Sequence, residues 1–266
     1  MDLLQALILG LVEGITEYLP VSSTGHLLIA QRLLGIHEDD AANGYAIAIQ
    51  AGAIMAVLGI YRLRVGGVLN GLAGRDPAGL KLAICIVAAF LPAAVVGVLF
   101  DDRIEQYLFG VKPVIAAWVV GGIVILALSG WVQKRREGLE LSQLGWRAAI
   151  VIGLVQCLAM WPGTSRSLVT ILGGLAVGLS MAAAVEFAFL LGVVTLTAAT
   201  AYTLLKVGGG MLDTYGWAPL VTGFVAAWVS AALAVKWMVA WLNRHGLTVF
   251  AWWRFAAAGL AAWLLL

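Results

Sequence analysis

The chain has 266 residues, 62% of them hydrophobic and 11% charged, with a net charge of +2 and a mean hydropathy of +1.00. No soluble domain of this length needs so much apolar surface, which excludes a water-soluble enzyme and indicates an integral membrane chain. With so weak a charge and no basic, aromatic-interleaved stretch, no nucleic-acid partner is expected.

The N-terminus reads MDLLQ, with no basic region ahead of its apolar stretch, so no cleavable signal is expected. Residues 3–35 are apolar but cut near the middle by proline and hydroxyl residues. Each half falls short of the roughly 20 apolar residues that cross a bilayer, which predicts a re-entrant helical hairpin. Three uninterrupted spans follow at 45–61, 80–100 and 113–132, with a Gly-rich loop expected from Arg64 to Lys81. The charged connector from Lys134 to Gln143 separates repeat one, about 1–143, from repeat two, about 144–266. Repeat two has the same plan: a broken apolar segment at 146–179, then spans at 183–205, 217–242 and 248–266. Three spans per repeat is odd, so the second copy must be inverted relative to the first, with hairpin tips that can meet near the midplane. The predicted fold is therefore an all-α polytopic membrane protein, six transmembrane helices plus two re-entrant hairpins in an inverted-topology repeat.

The two broken segments also share letters: LGLVEGITEYLPVSSTGH (Leu9 to His26) and IGLVQCLAMWPGTSRS (Ile152 to Ser167). Gly10 to Glu13 fall on Gly153 to Gln156. After a one-residue gap, Pro20 and its two serines fall on Pro162, Thr164 and Ser165. The charges set the orientation. Arg62, Arg64, Arg75, Lys81, Lys134, Arg135, Arg136, Arg147, Lys236, Arg244 and Arg254 collect on one side, against Arg32, Arg103, Lys112 and Lys206 on the other. The first side is cytoplasmic. Both termini, and the mouth of the first hairpin with His37, Glu38, Asp39 and Asp40, then face outward. Cys85 and Cys157 sit in apolar runs and read as core thiols.

Chemistry concentrates at the two breaks. Glu13 and Glu17 are one helical turn apart, and two carboxylates so placed repel unless one is protonated or a cation lies between them. Oxygen ligation favours Mg²⁺ or Ca²⁺. Ser22, Ser23 and Thr24 open the returning helix, whose free N–H groups form an anion seat, and His26 lies one turn further on, within reach for proton exchange. In the second break Thr164, Ser165, Arg166 and Ser167 place a guanidinium at another helix start; it can pair with Glu13 or Glu17, or bind a phosphate bidentately. Gln50 and Glu186 are further candidates for orienting Arg166 or the hydroxyls. The tryptophans of the C-terminal part read as interfacial belt.

EGITEYLPVSSTGH (Glu13 to His26) and PGTSRSLVT (Pro162 to Thr170) resemble the two signature motifs of the undecaprenyl-diphosphate phosphatase family of bacterial membranes, the type linked to bacitracin resistance. The likeness runs over essentially the whole chain, including IQAGAI (Ile49 to Ile54) and EFAFLL (Glu186 to Leu191). Leu168 and Val169 depart from the family's usual Gly-Ala. The resemblance implies hydrolysis of a polyprenyl diphosphate to its monophosphate, divalent-cation dependence and a site opening outward. It assigns the glutamate pair to Glu13 and Glu17, the serine and histidine to Ser23 and His26, and the arginine to Arg166. Ser22, Thr24, Gln50, Thr164, Ser165, Ser167 and Thr170 are then expected to bind substrate, with Glu13 and Glu17 holding the metal. The nucleophile stays open between Ser23, His26 and water. The partners expected are the prenyl diphosphate and membrane lipid, and a homodimer is compatible with the sequence. A competing class is an inverted-repeat transporter or flippase of polyprenyl phosphate or another anion, because broken helices at the midplane are also a transporter signature.

Overall fold

A computed structural model describes residues 1–37, 39–135 and 137–266, and for residues 101, 102, 105, 207, 208 and 243 the backbone alone. Glu38 and Arg136, which the sequence reading set on the outer and cytoplasmic sides, lie outside the described residues. In chain order the helices are α1 (Leu3–Thr16), α2 (Ser23–Leu33), α3 (Asp40–Ile60), α4 (Arg62–Leu72), α5 (Pro77–Leu108) and α6 (Val111–Gln133), then α7 (Trp146–Gln156), α8 (Arg166–Ala176), α9 (Met181–Tyr215), α10 (Trp217–His245) and α11 (Thr248–Leu265). Among the described residues, six are long and apolar enough to cross a membrane: α3, α5, α6, α9, α10 and α11. The chain is a multi-pass helical membrane protein.

α5 and α9 run well past the expected 80–100 and 183–205. Hydropathy marks the lipid-facing stretch and not the helix ends: the overrun is mainly C-terminal, with α9 ending only at Gly216 (φ +73°), while the starts are set by caps in which Asp76 accepts from the Ala78 N–H and Ser180 from that of Ala183. The loop expected from Arg64 to Lys81 is a correction, because α4 and the first turn of α5 occupy most of it. Its glycines serve close packing. A Cβ on Gly71 would collide with the backbone of Leu80, and one on Gly79 with the Gly67 carbonyl, while Gly74 (φ +75°) supplies the left-handed turn that ends α4. Arg254 is a second correction. Counted with the cytoplasmic charges, it is instead fully buried, since it sits nearly two turns inside α11.

Each broken segment is a pair of short helices. α1 and α2 flank a bend at 17–22; α7 and α8 flank a 3₁₀ turn at Cys157–Met160 and a further bend. In both pairs the arms pack on each other, and the first arm also lies along a long helix, α1 on α10 and α7 on α5. Small residues permit that contact. A Cβ on Gly10 would strike the Gly223 carbonyl of α10, and one on Gly153 the Ala89 carbonyl of α5. The largest core cluster, including Phe187, Phe189, Ile152 and Ile171, surrounds the second pair and fixes its bend against α9.

Candidate active site

The two bends meet. The Ser165 and Ser167 hydroxyls, in the second bend and the first turn of α8, both donate to the Leu19 carbonyl of the first, at 3.4 and 3.0 Å. Their backbones are alike: Ser22 has φ 73°, ψ 103° and Ser165 has φ 77°, ψ 112°, each immediately before its second helix. That region favours glycine and costs a serine on the order of 1–3 kcal/mol, so two such residues at matching points are a shared device rather than an accident. This geometry corrects the sequence alignment. Ser165 follows Ser22 by 143 residues, the interval that also separates Gln156 from Glu13, so no gap is needed and Ser23 stands opposite Arg166. Matching the prolines misled the alignment because the bends place them one residue out of register.

A cavity of about 530 Å³ opens at this junction. Its polar wall carries Glu17, Ser22, Ser23, Thr24 and Gln50 from the N-terminal half of the chain and Gln156, Ser165, Arg166 and Thr195 from the C-terminal half; its apolar wall is built from α5 and α9, with Ala93, Gly97 and Ala198 beside Phe90 and Leu196. Glu17 is the bridge. It is 7% exposed, accepts a short hydrogen bond from the Ser23 hydroxyl, and pairs with Arg166 Nη2 at 2.9 Å. Arg166 lies over the Tyr18 ring at 5.8 Å, and a Cβ at Gly192 would overlap its guanidinium, so α9 is glycine where the fork passes. Among the described residues the Arg166 Nε and Nη1 and the Gln156 Nε2 are buried without an acceptor, and the Thr195 hydroxyl meets Gln156 Oε1 at 3.4 Å. Arg166 and Gln156, beside the serine and threonine hydroxyls and the two helix starts that line the cavity, give it the cationic, donor-rich wall that an anion with several oxygens requires.

Other expected residues stand elsewhere. His26 does not line the cavity. Its Nδ1 lies 2.7 Å from the Ser22 carbonyl and its Nε2 accepts from Trp253 Nε1 at 3.0 Å, which fits a neutral ring protonated at Nδ1. The ring also lies against Trp118, at 4.7 Å between centroids. Thr170 donates to the Arg166 carbonyl at 2.7 Å, and Ser167 to Leu19, so both hold backbone rather than face the cavity; Thr164 offers its carbonyl to Arg254. Glu186 pairs with Arg64 at 2.6 Å and so orients α4, not Arg166. Sequence reading gave Tyr18 and Thr195 no role, took Trp253 for interfacial belt and counted Arg254 with the cytoplasmic charges. An arginine well inside an apolar span was a visible signal for the last; the others carry none without the fold.

Glu13 is 0% exposed, and among the described residues neither carboxyl oxygen meets a donor; its charged neighbours are Glu17 and Arg166. Among the described residues no group of three or more His, Cys, Asp or Glu side chains is close enough to hold a metal. Glu13 does not line the cavity and both Glu17 oxygens are engaged by Ser23 and Arg166, but a pair of carboxylates is the hard oxygen donor set that Mg²⁺ or Ca²⁺ takes.

Fold and site together define a multi-pass helical membrane protein with a buried carboxylate–serine–arginine centre assembled from two broken helix pairs. The chain belongs to the family described as bacitracin resistance protein BacA, whose pattern matches residues 6–260. It is 47% identical over 257 residues to undecaprenyl-diphosphatase 2 of Rhodospirillum rubrum, covering 96% of this chain and 92% of that protein. To the undecaprenyl-diphosphatases of Sorangium cellulosum and Methylococcus capsulatus it is 43% identical, over 97% and 98% of this chain and 85% and 98% of those proteins.

Proposed function

We propose that the chain hydrolyses undecaprenyl diphosphate, or a similar polyprenyl diphosphate, to the monophosphate and inorganic phosphate. This returns the lipid carrier to cell-wall synthesis and underlies bacitracin resistance. The observation that carries the reading is the Glu17 bridge between Ser23 and Arg166, at a cavity with Arg166, Gln156 and hydroxyls on one wall and apolar side chains of α5 and α9 on the other. A diphosphate suits the first wall and an isoprenyl chain the second.

Glu17 accepts the Ser23 proton as the hydroxyl oxygen attacks the terminal phosphorus. The new Oγ–P bond forms as the bridging P–O bond breaks, and the prenyl monophosphate leaves with that oxygen. Water then cleaves the phosphoserine, releasing phosphate and restoring the hydroxyl. Arg166 and the starts of α2 and α8 neutralise charge on the equatorial oxygens, which is most of what phosphoryl transfer requires of a protein. Glu13 and Glu17 would hold a Mg²⁺ or Ca²⁺ ion, whose chemistry is to offset the negative charge of the diphosphate. His26 keeps Ser22 in its strained conformation through the Ser22 carbonyl. Gln50, Thr24 and Ser22 contact the diphosphate from the first repeat and Ser165 from the second.

The two helix pairs act as re-entrant hairpins of an inverted repeat, about 1–143 and 144–266, in the bacterial cytoplasmic membrane, with the cavity reached from outside. Odd span number and basic-residue placement support that arrangement. Cysteines at Asp39 and Asp213 should react with an impermeant thiol reagent on intact cells, and cysteines at Arg75 and Glu137 only after the cells are opened; the opposite pattern overturns the orientation.

Phosphate release from undecaprenyl diphosphate by detergent-purified protein tests the activity itself. Release of one phosphate per lipid is expected, stopping at the monophosphate, lost in excess chelator and restored by Mg²⁺ or Ca²⁺. Absence of release from folded protein would turn the reading toward a transporter of phosphorylated lipid, and full activity in chelator would remove the metal.

A further inference from the structure

Arg254 of α11 is buried completely, and it is spent almost wholly on backbone. Its Nη1 donates to the Pro20 carbonyl at 3.0 Å, in the first bend. Its Nη2 lies 2.6 Å from the Gly163 and 3.0 Å from the Thr164 carbonyl, in the second. Nε and Nη2 reach the Trp118 and Ala117 carbonyls of α6 at 3.3 and 3.2 Å. A bend in hydrocarbon leaves carbonyls without helical partners, and one planar five-donor fork answers those of both bends together. Trp118 adds a tie of its own, from Nε1 to the Val21 carbonyl at 2.9 Å.

Two features set this apart from ordinary satisfaction of backbone. Among the described residues no carboxylate pairs with Arg254, so a buried positive charge stands without a counter-ion. It stands immediately behind the cavity: Gly163, whose carbonyl it holds, lines the chamber, as does Ser165, and Pro20 precedes Ser22 by two residues. The molecule also makes room for it, since a Cβ on Gly121 of α6 would overlap the guanidinium.

We propose that Arg254 is a positioning residue for phosphoryl transfer. It locks the bend that presents Ser23 and Glu17 to the bend that presents Arg166. The proposal rests on the phosphatase reading and deepens it. A lost clamp moves reacting groups without removing any group that touches substrate, so kcat falls while KM holds. A misplacement of about 1 Å is enough for roughly a hundredfold loss.

The experiment compares Arg254→Met, Arg254→Lys and Gly121→Ala with the unaltered protein. Rates of phosphate release from undecaprenyl diphosphate are normalised to folded, monodisperse protein, and hydrogen–deuterium exchange is followed over residues 17–26 and 161–170. Arg254→Met is expected to lose about a hundredfold in kcat, with KM within about threefold. Arg254→Lys recovers part of the loss. Gly121→Ala, which keeps the charge and displaces the fork, loses about tenfold and covers the case in which the methionine variant does not fold. Exchange rises over both stretches together. Wild-type kcat per folded molecule in Gly121→Ala and Arg254→Lys overturns the proposal, as does a rise in KM with kcat intact, or unchanged exchange at the two bends. If the unaltered protein releases no phosphate, the phosphatase reading fails instead, and the exchange arm still decides whether Arg254 joins the bends.

Discussion

The two bends share a backbone and divide the chemistry. Each ends on a strained serine followed by the first residue of a helix, and at that first position one bend carries Ser23 and the other Arg166. The arm before the bend differs in the same sense. The first has Glu13 and Glu17 where the second has Gln156 and Met160, so the carboxylates and Ser23 lie on one bend and the fixed cation on the other. Two bends of like backbone thus bring two helix starts to one junction, and their few different side chains make them complementary rather than equivalent. Neither copy is a site alone. Glu17 has partners from both, Ser23 six residues on and Arg166 149 residues on.

The largest expected effect comes from cutting that bridge. Glu17→Gln removes the proton acceptor for Ser23 and leaves Arg166 buried without its anion, so kcat should fall by about a thousandfold or more, measured as phosphate release per folded molecule. A loss under about tenfold would move the base elsewhere. Arg166→Lys keeps the charge but not the fork, and should cost about a hundredfold with little change in thermal stability. If activity falls only in step with folded protein, Arg166 is a counter-ion to Glu17 and no more.

A smaller effect distinguishes the two serines. Ser22 makes no side-chain cap, whereas the Ser165 hydroxyl accepts from the Leu168 N–H and donates to Leu19. Ser22→Gly relieves strain and should raise stability by about 1 kcal/mol while lowering activity. Ser165→Gly relieves the same strain but forfeits a cap worth about 1 kcal/mol, so thermal unfolding should show little net gain. Equal stabilisation at both positions would mean that the Ser165 hydroxyl contributes neither its cap on Leu168 nor its link to Leu19.

Much of this was legible in the sequence, and the reasons differ by level. The six spans follow from uninterrupted apolar runs, and each falls within a few residues of an observed helix except where a cap carries the helix beyond the lipid-facing stretch. Glu17, Ser23 and Arg166 could be singled out because polar groups at membrane depth are expensive. Their partners could not. His26 looks like a proton shuttle by spacing, yet Trp253, on a helix 227 residues away, claims its free nitrogen. Arg254 was visible as a charge in a span, but one-dimensional counting sends any arginine near a helix end to the cytoplasmic rim. Only the packing of α11 against α6 shows that it points inward. The glycines between Arg64 and Lys81 read as flexible because sequence does not distinguish a glycine that bends from one that lets two helices touch.

The central claim, that one catalytic centre is assembled from both bends, is tested most directly by a double-mutant cycle in phosphate release between Ser23→Ala and Arg166→Lys, using purified protein and undecaprenyl diphosphate at saturation. If Ser23 and Arg166 act on the same phosphorus, the double variant should be little worse than the poorer single one, because a residue that stabilises the attack contributes nothing once the attacking group is gone. Losses that multiply would mean that the two bends act independently, and would contradict the assembled centre.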